Sequence, residues 1–299
     1  MAQAMLQMVA LNEEDHGRVQ ALIVESVPFA QLDGAYQLYN LPGDCEALEA
    51  IWVEFPEDYK PDHAFGLCSA VENASLYINQ CLVMQVSGFD LFAFGKKNPH
   101  ANLLQLPLLP DGKLNLGDNA DADTKRSIQL RLALSQPLGV QVSVSKRYYD
   151  QKTRMVDGLR VDSSLMYQFY NLAVNINEPG ALIPIGAKSP TFQIAVALVD
   201  AGGKLRRASR VSLSVSGIDF DLKICDPLNP TPKGIYTYTF EAFVSIYGPI
   251  RSQQARTTLN LSRSDRNAIR ITTGPLPPGC KAYVSTISKN VFKDFKPVF

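Results

Sequence analysis

The chain has 299 residues, 46% of them hydrophobic, which is enough to bury one large core or two ordinary ones. Charged residues make up only 19%, and 29 Lys and Arg balance 29 Asp and Glu. A neutral chain has no bulk field that draws it to nucleic acid or to an anionic membrane, so we expect neither as a partner. The low charge favours a subunit of an assembly over a free monomer.

The sequence gives no sign of a membrane or secretory route. It contains no apolar run of transmembrane length, and the segment Met1–Leu11 lacks the basic start of a signal peptide. The cysteines are odd in number and never spaced as C-x-x-C, so we favour buried free thiols in a reducing compartment, with a Cys68–Cys81 disulfide as the alternative. They are Cys45, Cys68, Cys81, Cys225 and Cys280.

The first hundred residues combine one helical pattern with strands. Val19, Leu22 and Ile23 fall on one face of a helix, which predicts a short helix over 13–26. The segment 51–55 reads as a strand closed by a proline. The segment 76–94 is rich in β-branched and aromatic residues with a Ser-Gly break, which predicts two strands or one bulged strand.

The clearest alternation lies in the middle of the chain. Apolar residues occupy every second position of 128–134 and of 140–144, with Pro137-Leu138-Gly139 between the two segments. This pattern predicts a β-hairpin with one buried face. The residues expected in the core are Ile128, Leu130, Leu132, Leu134, Val140, Val142 and Val144.

The remainder predicts further strands around a linker. Residues 164–174 read as a strand, and 175–190, with three prolines and two glycines, is the candidate linker between domains 1–182 and 190–299. Beyond it, strands are predicted at 192–199, which a turn at 200–203 closes, and at 211–215, 236–240, 257–261, 268–272 and 283–287. The predicted fold class is all-β, with two β-sandwich-like domains, immunoglobulin-like or jelly-roll, and few short helices.

The last third resembles a fibronectin type III module. The resemblance is carried by the aromatic strand 234–248 ending in Tyr-Gly, by 268–272, and by the proline-glycine turn 276–279 that leads into a Tyr-Val strand. It implies an immunoglobulin-like sandwich. Similar modules occur on bacteriophage virion proteins, in adhesins and in extracellular enzymes. A neutral chain without a leader fits virion proteins best, because virion subunits fold in the host cytoplasm.

Motifs for chemistry are missing from the sequence. The three histidines, His16, His63 and His100, are far apart and form no zinc pattern, and no nucleophile elbow, P-loop or dinucleotide fingerprint occurs. Cys68 lies five residues after His63, but a core cysteine is favoured over a thiolate and base pair. For the acidic stretch 118–123, a solvated turn is favoured over a bound ion. We therefore expect no cofactor, no metal and no small-molecule ligand.

Two basic clusters stand out. One contains Lys146, Arg147, Lys152 and Arg154 around a Tyr-Tyr pair, a combination that can stack on bases or bind a partner's carboxylates. The other is 204–207 with a further arginine at 210. A solvated hairpin end is the favoured interpretation of the first cluster, and a subunit contact is preferred to nucleic acid as the alternative.

The C-terminal segment 289–299 is rich in phenylalanine. Either it folds back over its own sandwich, or it is an arm that docks into a neighbouring subunit, and the sequence leaves the two interpretations equal. The candidate interface residues are Tyr148, Tyr149, Arg154, Phe292, Phe295 and Phe299.

Together these features predict a non-enzymatic structural protein of a bacteriophage virion, in a tail, connector or capsid, whose partners are copies of itself and other virion proteins. The first alternative is an adhesin or carbohydrate-binding module that uses Trp52, Tyr148 or Tyr149 as a stacking platform. The second is a β-sandwich hydrolase whose carboxylates converge only in three dimensions.

Overall fold

The computed structural model describes residues 19–27, 29–33, 35–43, 45, 47–95, 102–106, 114–115, 127–149, 164–185, 191–215, 217–224, 234–239, 267–273, 275–293 and 296–297. Within these residues the chain is mostly β-strand, with one α-helix and one 3-10 helix. The strands form four antiparallel sheets, which confirms the all-β prediction.

The first half contains ten strands and both helices. The strands are β1 (Val19–Val27), β2 (Phe29–Asp33), β3 (Tyr36–Leu41), β4 (Ala47–Glu54), β5 (Val71–Ile78), β6 (Cys81–Ser87), β7 (Leu103–Leu106), β8 (Leu114–Asn115), β9 (Ile128–Leu134) and β10 (Gln141–Tyr149). The 3-10 helix spans Gly66–Ala70 and the α-helix α1 spans Gly88–Phe94. No helix in the described residues has the length and hydropathy to span a membrane.

The second half contains eleven strands. They are β11 (Ser164–Asn175), β12 (Ala181–Pro184), β13 (Thr191–Val199), β14 (Leu205–Arg206), β15 (Arg210–Val215), β16 (Ile218–Asp221), β17 (Lys223–Ile224), β18 (Tyr236–Thr239), β19 (Ala268–Thr272), β20 (Lys281–Lys293) and β21 (Lys296–Pro297).

The two halves share one strand order. Sheet 1 has the order β1-β10-β4-β7 and sheet 2 the order β2-β3-β9-β5-β6. Sheet 3 has the order β11-β20-β13-β18-β17 and sheet 4 the order β12-β19-β15-β16. When the additional strands β2, β8, β14, β17 and β21 are set aside, each half has eight strands. In each half, the first of the eight pairs with the last, the last with the third, and the third with the sixth. Each half is therefore a jelly roll, an antiparallel sandwich of eight strands.

Alternating side chains build the two cores. The seven residues expected in the core from the 128–134 and 140–144 alternation are all at most 2% exposed. They belong to a first core that also holds Ile51, Val53 and Leu76. The second core joins Ile194, Val196 and Leu198 of β13 to residues of β15, β19 and β20. The second core lies between sheets 3 and 4, whereas the first lies between sheets 1 and 2 and extends to β13 of sheet 3.

The helix predicted over 13–26 is wrong where the structure describes it. Val19–Val27 is strand β1, which pairs with β10 from Val19↔Tyr149 to Val27↔Val142, while residues 13–18 lie outside the described residues. The spacing of Val19, Leu22 and Ile23 suits a helix, but a long edge pairing overrides a weak local preference. The segment 76–94 also differs from the prediction of two strands or one bulged strand. It contains the end of β5 and all of β6, but the residues after the Ser-Gly break form α1 and not a strand.

The predicted hairpin between 128–134 and 140–144 is also wrong. Both segments are strands, but β9 pairs with β3 and β5 in sheet 2, whereas β10 pairs with β1 and β4 in sheet 1. The connection therefore crosses from one sheet of the sandwich to the other. Alternation is the same for two strands that pair and for two that face each other across a core, so the pattern alone does not distinguish them.

The segments around the predicted linker belong to the second jelly roll. β11 pairs with β20 along its whole length, from Ser164↔Phe292 to Asn175↔Lys281. β12 falls inside 175–190 and pairs with β19. The sheets therefore change from one jelly roll to the other between β10 and β11. The domain limits 1–182 and 190–299 stay a prediction, and we propose that the boundary lies in 150–163.

Candidate functional site

In the described residues the two jelly rolls contact each other, and we call this contact the seam. Strand β13 is buried on both faces: Ile194, Val196 and Leu198 belong to the second core, while Ala195 and Ala197 belong to the first. Both alanines are 0% exposed. Sheet 3 thus serves as one wall of its own sandwich and as a packing surface for the other jelly roll.

A cluster of aromatic rings fills the seam. Phe65, which precedes the 3-10 helix, has its ring centroid 5.4 Å from that of Phe89 and 4.8 Å from that of Phe92, both on α1. The same ring meets Tyr283 of β20 edge to face at 5.2 Å. Phe94 at the end of α1 lies 6.0 Å from Phe169 of β11. Contacts of this kind add stability beyond the area that they bury.

The start of α1 is held by a capping box. The Ser87 hydroxyl accepts a hydrogen bond from the backbone N–H of Asp90, and the Asp90 carboxylate accepts one from the backbone N–H of Ser87. Gly88 lies so close to the 3-10 helix that a Cβ there would stand 2.0 Å from the carbonyl oxygen of Cys68. The cap and this close approach fix where α1 meets the seam.

Asp90 connects the first jelly roll to the second. Its Oδ2 accepts from Asn171 Nδ2 of β11 at 2.6 Å, and its Oδ1 accepts from the Ser285 hydroxyl of β20. The side chain is 0% exposed, and its burial raises the pKa of the carboxyl above the ordinary value, a shift that the hydrogen bonds from Ser285, Ser87 and Asn171 reduce.

A second contact joins the loop before the 3-10 helix to the turn between β13 and β14. The backbone N–H of Ala64 donates to the carbonyl oxygen of Gly203 at 2.8 Å. His63 Nδ1 accepts from the N–H of Phe65 at 3.1 Å, which requires that this nitrogen carry no proton. Burial lowers the pKa of His63, in agreement with a neutral ring.

The predicted interface residues are not brought together by the described structure. Tyr148 and Tyr149 end β10, where they pair with Ala21 and Val19 in sheet 1. Phe292 lies in β20 of sheet 3 and pairs with Ser164 and with Pro297. The other three candidates, Arg154, Phe295 and Phe299, lie outside the described residues. Their interface role stays a prediction.

The other candidates for chemistry have structural explanations. Burial raises the pKa of the Cys68 thiol to about 12, which disfavours a reactive thiolate beside His63. Cys68, Cys81 and Cys280 are free thiols. Among the described residues, no three His, Cys, Asp or Glu side chains are grouped to hold a metal ion. The acidic stretch 118–123 and Cys225 lie outside those residues.

The second basic cluster forms ion pairs at the surface. Arg206 Nε lies 2.7 Å from Asp200 Oδ2, and Arg210 Nε lies 2.7 Å from Asp221 Oδ1. The hydrogen bond from the N–H of Lys204 contributes most to lowering the pKa of Asp200, and Arg206 lowers it further. Each arginine therefore pairs within the second jelly roll, Arg206 at the turn between β13 and β14 and Arg210 between β15 and β16.

Sequence reasoning missed the seam, although two signals were present. Ser87 and Asp90 have the spacing of a capping box, which marks a helix start. The continuous apolar run of β13, Ile-Ala-Val-Ala-Leu-Val over 194–199, is typical of a strand buried on both faces. Alternating strands have one solvated face, so this run indicated a second partner for sheet 3.

Comparison by sequence gives no relatives: no protein-family model and no curated protein matches the chain. Comparison by structure finds viral proteins, several of which are described as major capsid proteins. The crystal structure of PBCV-1 VP54, which has been fitted into a cryo-EM reconstruction of the virophage Sputnik, aligns with a TM-score of 0.67 at 12% identity, covering 95% of this chain and 96% of its own.

Two further matches are described as major capsid proteins. That of Faustovirus aligns with a TM-score of 0.60 at 7% identity, over 96% of this chain and 93% of its own. That of bacteriophage PM2 aligns with a TM-score of 0.52 at 10% identity, over 91% and 98%. At these identities the likeness concerns the fold, and it extends over both jelly rolls. It agrees with the jelly-roll alternative and gives no support to a fibronectin type III module.

Proposed function

We propose that the chain is a non-enzymatic structural subunit of a virus particle, and that its place is the capsid shell. The observation that carries this proposal is the pair of jelly rolls with one strand order, which aligns nearly end to end with two major capsid proteins. A tail or connector role has no comparable support. The matches include a bacteriophage protein and proteins of other viruses, so we propose a virus particle without restricting it to a bacteriophage.

The partners that we propose are copies of this chain and other virion proteins. Both jelly rolls expose large apolar side chains that would add to the area of subunit contacts. Tyr36 and Leu82 are 60% and 44% exposed on the first, and Leu182 and Ile218 are 59% and 63% exposed on the second. We also propose that the chain resides in the virion after folding in the host cytoplasm, a reducing compartment in which its free thiols would stay reduced.

The two alternatives have weaker support. A hydrolase needs acids with shifted pKa values in an open cleft, but the carboxyl of Asp90, whose pKa burial raises, is closed off from solvent. A carbohydrate platform needs exposed aromatic rings in a groove. Trp52 is half-buried in a central strand of sheet 1. Its neighbours on the two adjacent strands are Ser143 and Gln105, so no second aromatic ring lies beside it in these pairs.

The test is the mass of the purified full-length chain by light scattering, with electron microscopy of any particles. We expect a defined oligomer or shell. A double variant, Phe295→Ser with Phe299→Ser, is expected to weaken assembly if the C-terminal segment docks between subunits, whereas Glu57→Ser at an exposed turn is the control. A full-length protein that stays monomeric up to its solubility limit, and with the other virion proteins added, contradicts the proposal.

A further inference from the structure

Asp90 is fully buried and its carboxyl is surrounded by neutral polar groups. Its Oδ2 accepts from the Ser87 N–H at 2.6 Å, the Ser87 hydroxyl at 2.9 Å and Asn171 Nδ2 at 2.6 Å. Its Oδ1 has a different neighbour, the hydroxyl of Ser285, which can accept as well as donate. A proton on Oδ1 therefore has an acceptor in Ser285, and the three donors to Oδ2 can stay in place in the protonated form.

The ionised form lacks a compensating charge in the described part of the chain. The hydrogen-bond donors to Asp90 all come from neutral groups, Ser87, Asn171 and Ser285. Buried carboxylates without a cation are costly, because the hydration that they lose is not replaced in full.

Other titratable groups occur on the elements that pack against α1. Cys68 in the 3-10 helix and Tyr283 on β20 have their pKa values raised by burial, so both stay neutral near pH 7. Glu72 at the start of β5 and Lys281 at the start of β20 are exposed to solvent. Cys81, the first residue of β6, is partly exposed. Tyr77, further along β5, packs against the guanidinium of Arg131. The charged groups among these are at the surface, where solvent screens them.

We propose that Asp90 is a proton-dependent fastener between the two jelly rolls: the seam is tightest while the carboxyl is protonated and loosens as it ionises. In the protonated form the Oδ1–H group donates a hydrogen bond to the Ser285 hydroxyl of β20, while Oδ2 keeps its hydrogen bond from Asn171 of β11. Ionisation leaves a charge enclosed between α1 and sheet 3, and the cost of that charge is relieved when the seam opens to water.

The direction of the pH dependence follows from linkage. The pKa of Asp90 is raised in the folded state, so its contribution to stability is fully present below the pKa of the unfolded chain. That contribution is lost as the pH rises through the folded-state pKa. The seam is therefore expected to weaken towards alkaline pH, by a factor of ten in its opening equilibrium for each pKa unit that separates the two states.

The test compares Asp90→Asn with the wild-type chain. An asparagine whose oxygen takes the place of Oδ2 and whose amide nitrogen takes that of Oδ1 reproduces the protonated pattern without a titratable group. Thermal unfolding of both proteins is followed from about pH 5 to about pH 8, with Asp219→Asn, an exposed site on sheet 4, as the control.

The difference in midpoint between Asp90→Asn and wild type is expected to grow in favour of the variant as the pH rises. His63 is present in both proteins, so its own titration cancels in this difference. A difference that stays constant with pH, or one in which the variant is less stable at pH 8, overturns the proposal. The control is expected to show no such trend.

A second measurement on the wild-type chain does not depend on the variant folding. Amide hydrogen exchange, corrected for the intrinsic pH dependence, is measured for β11 and β20 and for β5 and β9, which lie in sheet 2. Protection of β11 and β20 next to Asn171 and Ser285 is expected to fall with rising pH, while that of β5 and β9 is kept. Unchanged protection of β11 and β20 contradicts the proposal.

Discussion

At the residue scale, the second contact of the seam requires a glycine. Gly203 has φ of +75°, and a Cβ at this position would stand 2.7 Å from His63 Cδ2. An L-residue is therefore disfavoured twice, once by the backbone conformation and once by the imidazole ring. The ring itself is held, because its Nδ1 accepts the Phe65 N–H.

We expect Gly203→Ala to destabilise the chain by more than Gly217→Ala. Gly217 has a similar φ of +87°, but a Cβ there would meet no atom within 4 Å, so its substitution reports the backbone cost alone. The additional loss at Gly203, about 1–3 kcal/mol for a clash in a packed contact, is measured as the difference between the two free energies of unfolding. Equal losses would show that His63 moves aside freely.

The buried faces of single strands were predictable, but the carboxylate of the seam was not. Alternation identified Leu130 and Val142 as core residues because burial of every second side chain leaves a local record. Asp90 meets Asn171 and Ser285, which are 81 and 195 positions away in the sequence. Nothing local in a sequence specifies partners at such distances.

At the scale of elements, α1 depends on its surroundings. It has seven residues, fewer than an isolated helix needs to be stable in water. Its capping box and the aromatic contacts of Phe89, Phe92 and Phe94 hold it in place. The helix is thus a consequence of the seam as much as a part of it.

Removal of the cap is expected to loosen α1. Ser87→Ala deletes the hydroxyl that accepts from the Asp90 N–H and donates to the Asp90 carboxylate, at a cost of about 1–2 kcal/mol. Chemical denaturation measures this loss, with Ser75→Ala on the neighbouring strand β5 as the control. The loss should also appear as faster hydrogen exchange in α1. A stability equal to that of the control would mean that tertiary packing alone holds the helix.

The strands were predictable as strands, but their partners were not. The segments 128–134 and 140–144 were recognised from alternation, yet they pair in different sheets. A tight turn between strands favours a hairpin, but in a jelly roll many short connections cross between the two sheets. The choice depends on which edges the rest of the chain leaves free, and that is decided by the whole fold.

At the scale of the whole molecule, two jelly rolls of one design have different roles. Their strand orders agree, although no repeat is evident in the sequence, because a jelly roll requires only alternation and turns. In the second jelly roll, one face of sheet 3 lines its own core and the other face packs against the first jelly roll at the seam. Its small residues Ala195 and Ala197 let the first roll approach closely, so close packing, as well as the bonds of Asp90, joins the halves.

Overpacking at this surface is expected to separate the halves without unfolding either. Ala197→Leu adds three carbon atoms at a position that is 0% exposed and faces the first roll, which should cost about 1–3 kcal/mol. Because the added volume acts between the jelly rolls, calorimetry is expected to show their unfolding as two resolved transitions where the wild type shows a single one. Ala268→Leu, a partly exposed position on β19, is the matched control and should retain one transition.

If Ala197→Leu instead lowers one transition without splitting it, the two jelly rolls form a single cooperative unit that strain does not divide. The two outcomes have different meanings for assembly. A subunit that divides at its seam offers two bodies whose relative placement a shell can adjust, whereas a subunit that unfolds as one presents fixed surfaces to its neighbours. Light scattering of the same variant shows whether assembly needs a rigid seam. Assembly is lost if a rigid seam is required, and it is retained if each jelly roll makes its contacts independently.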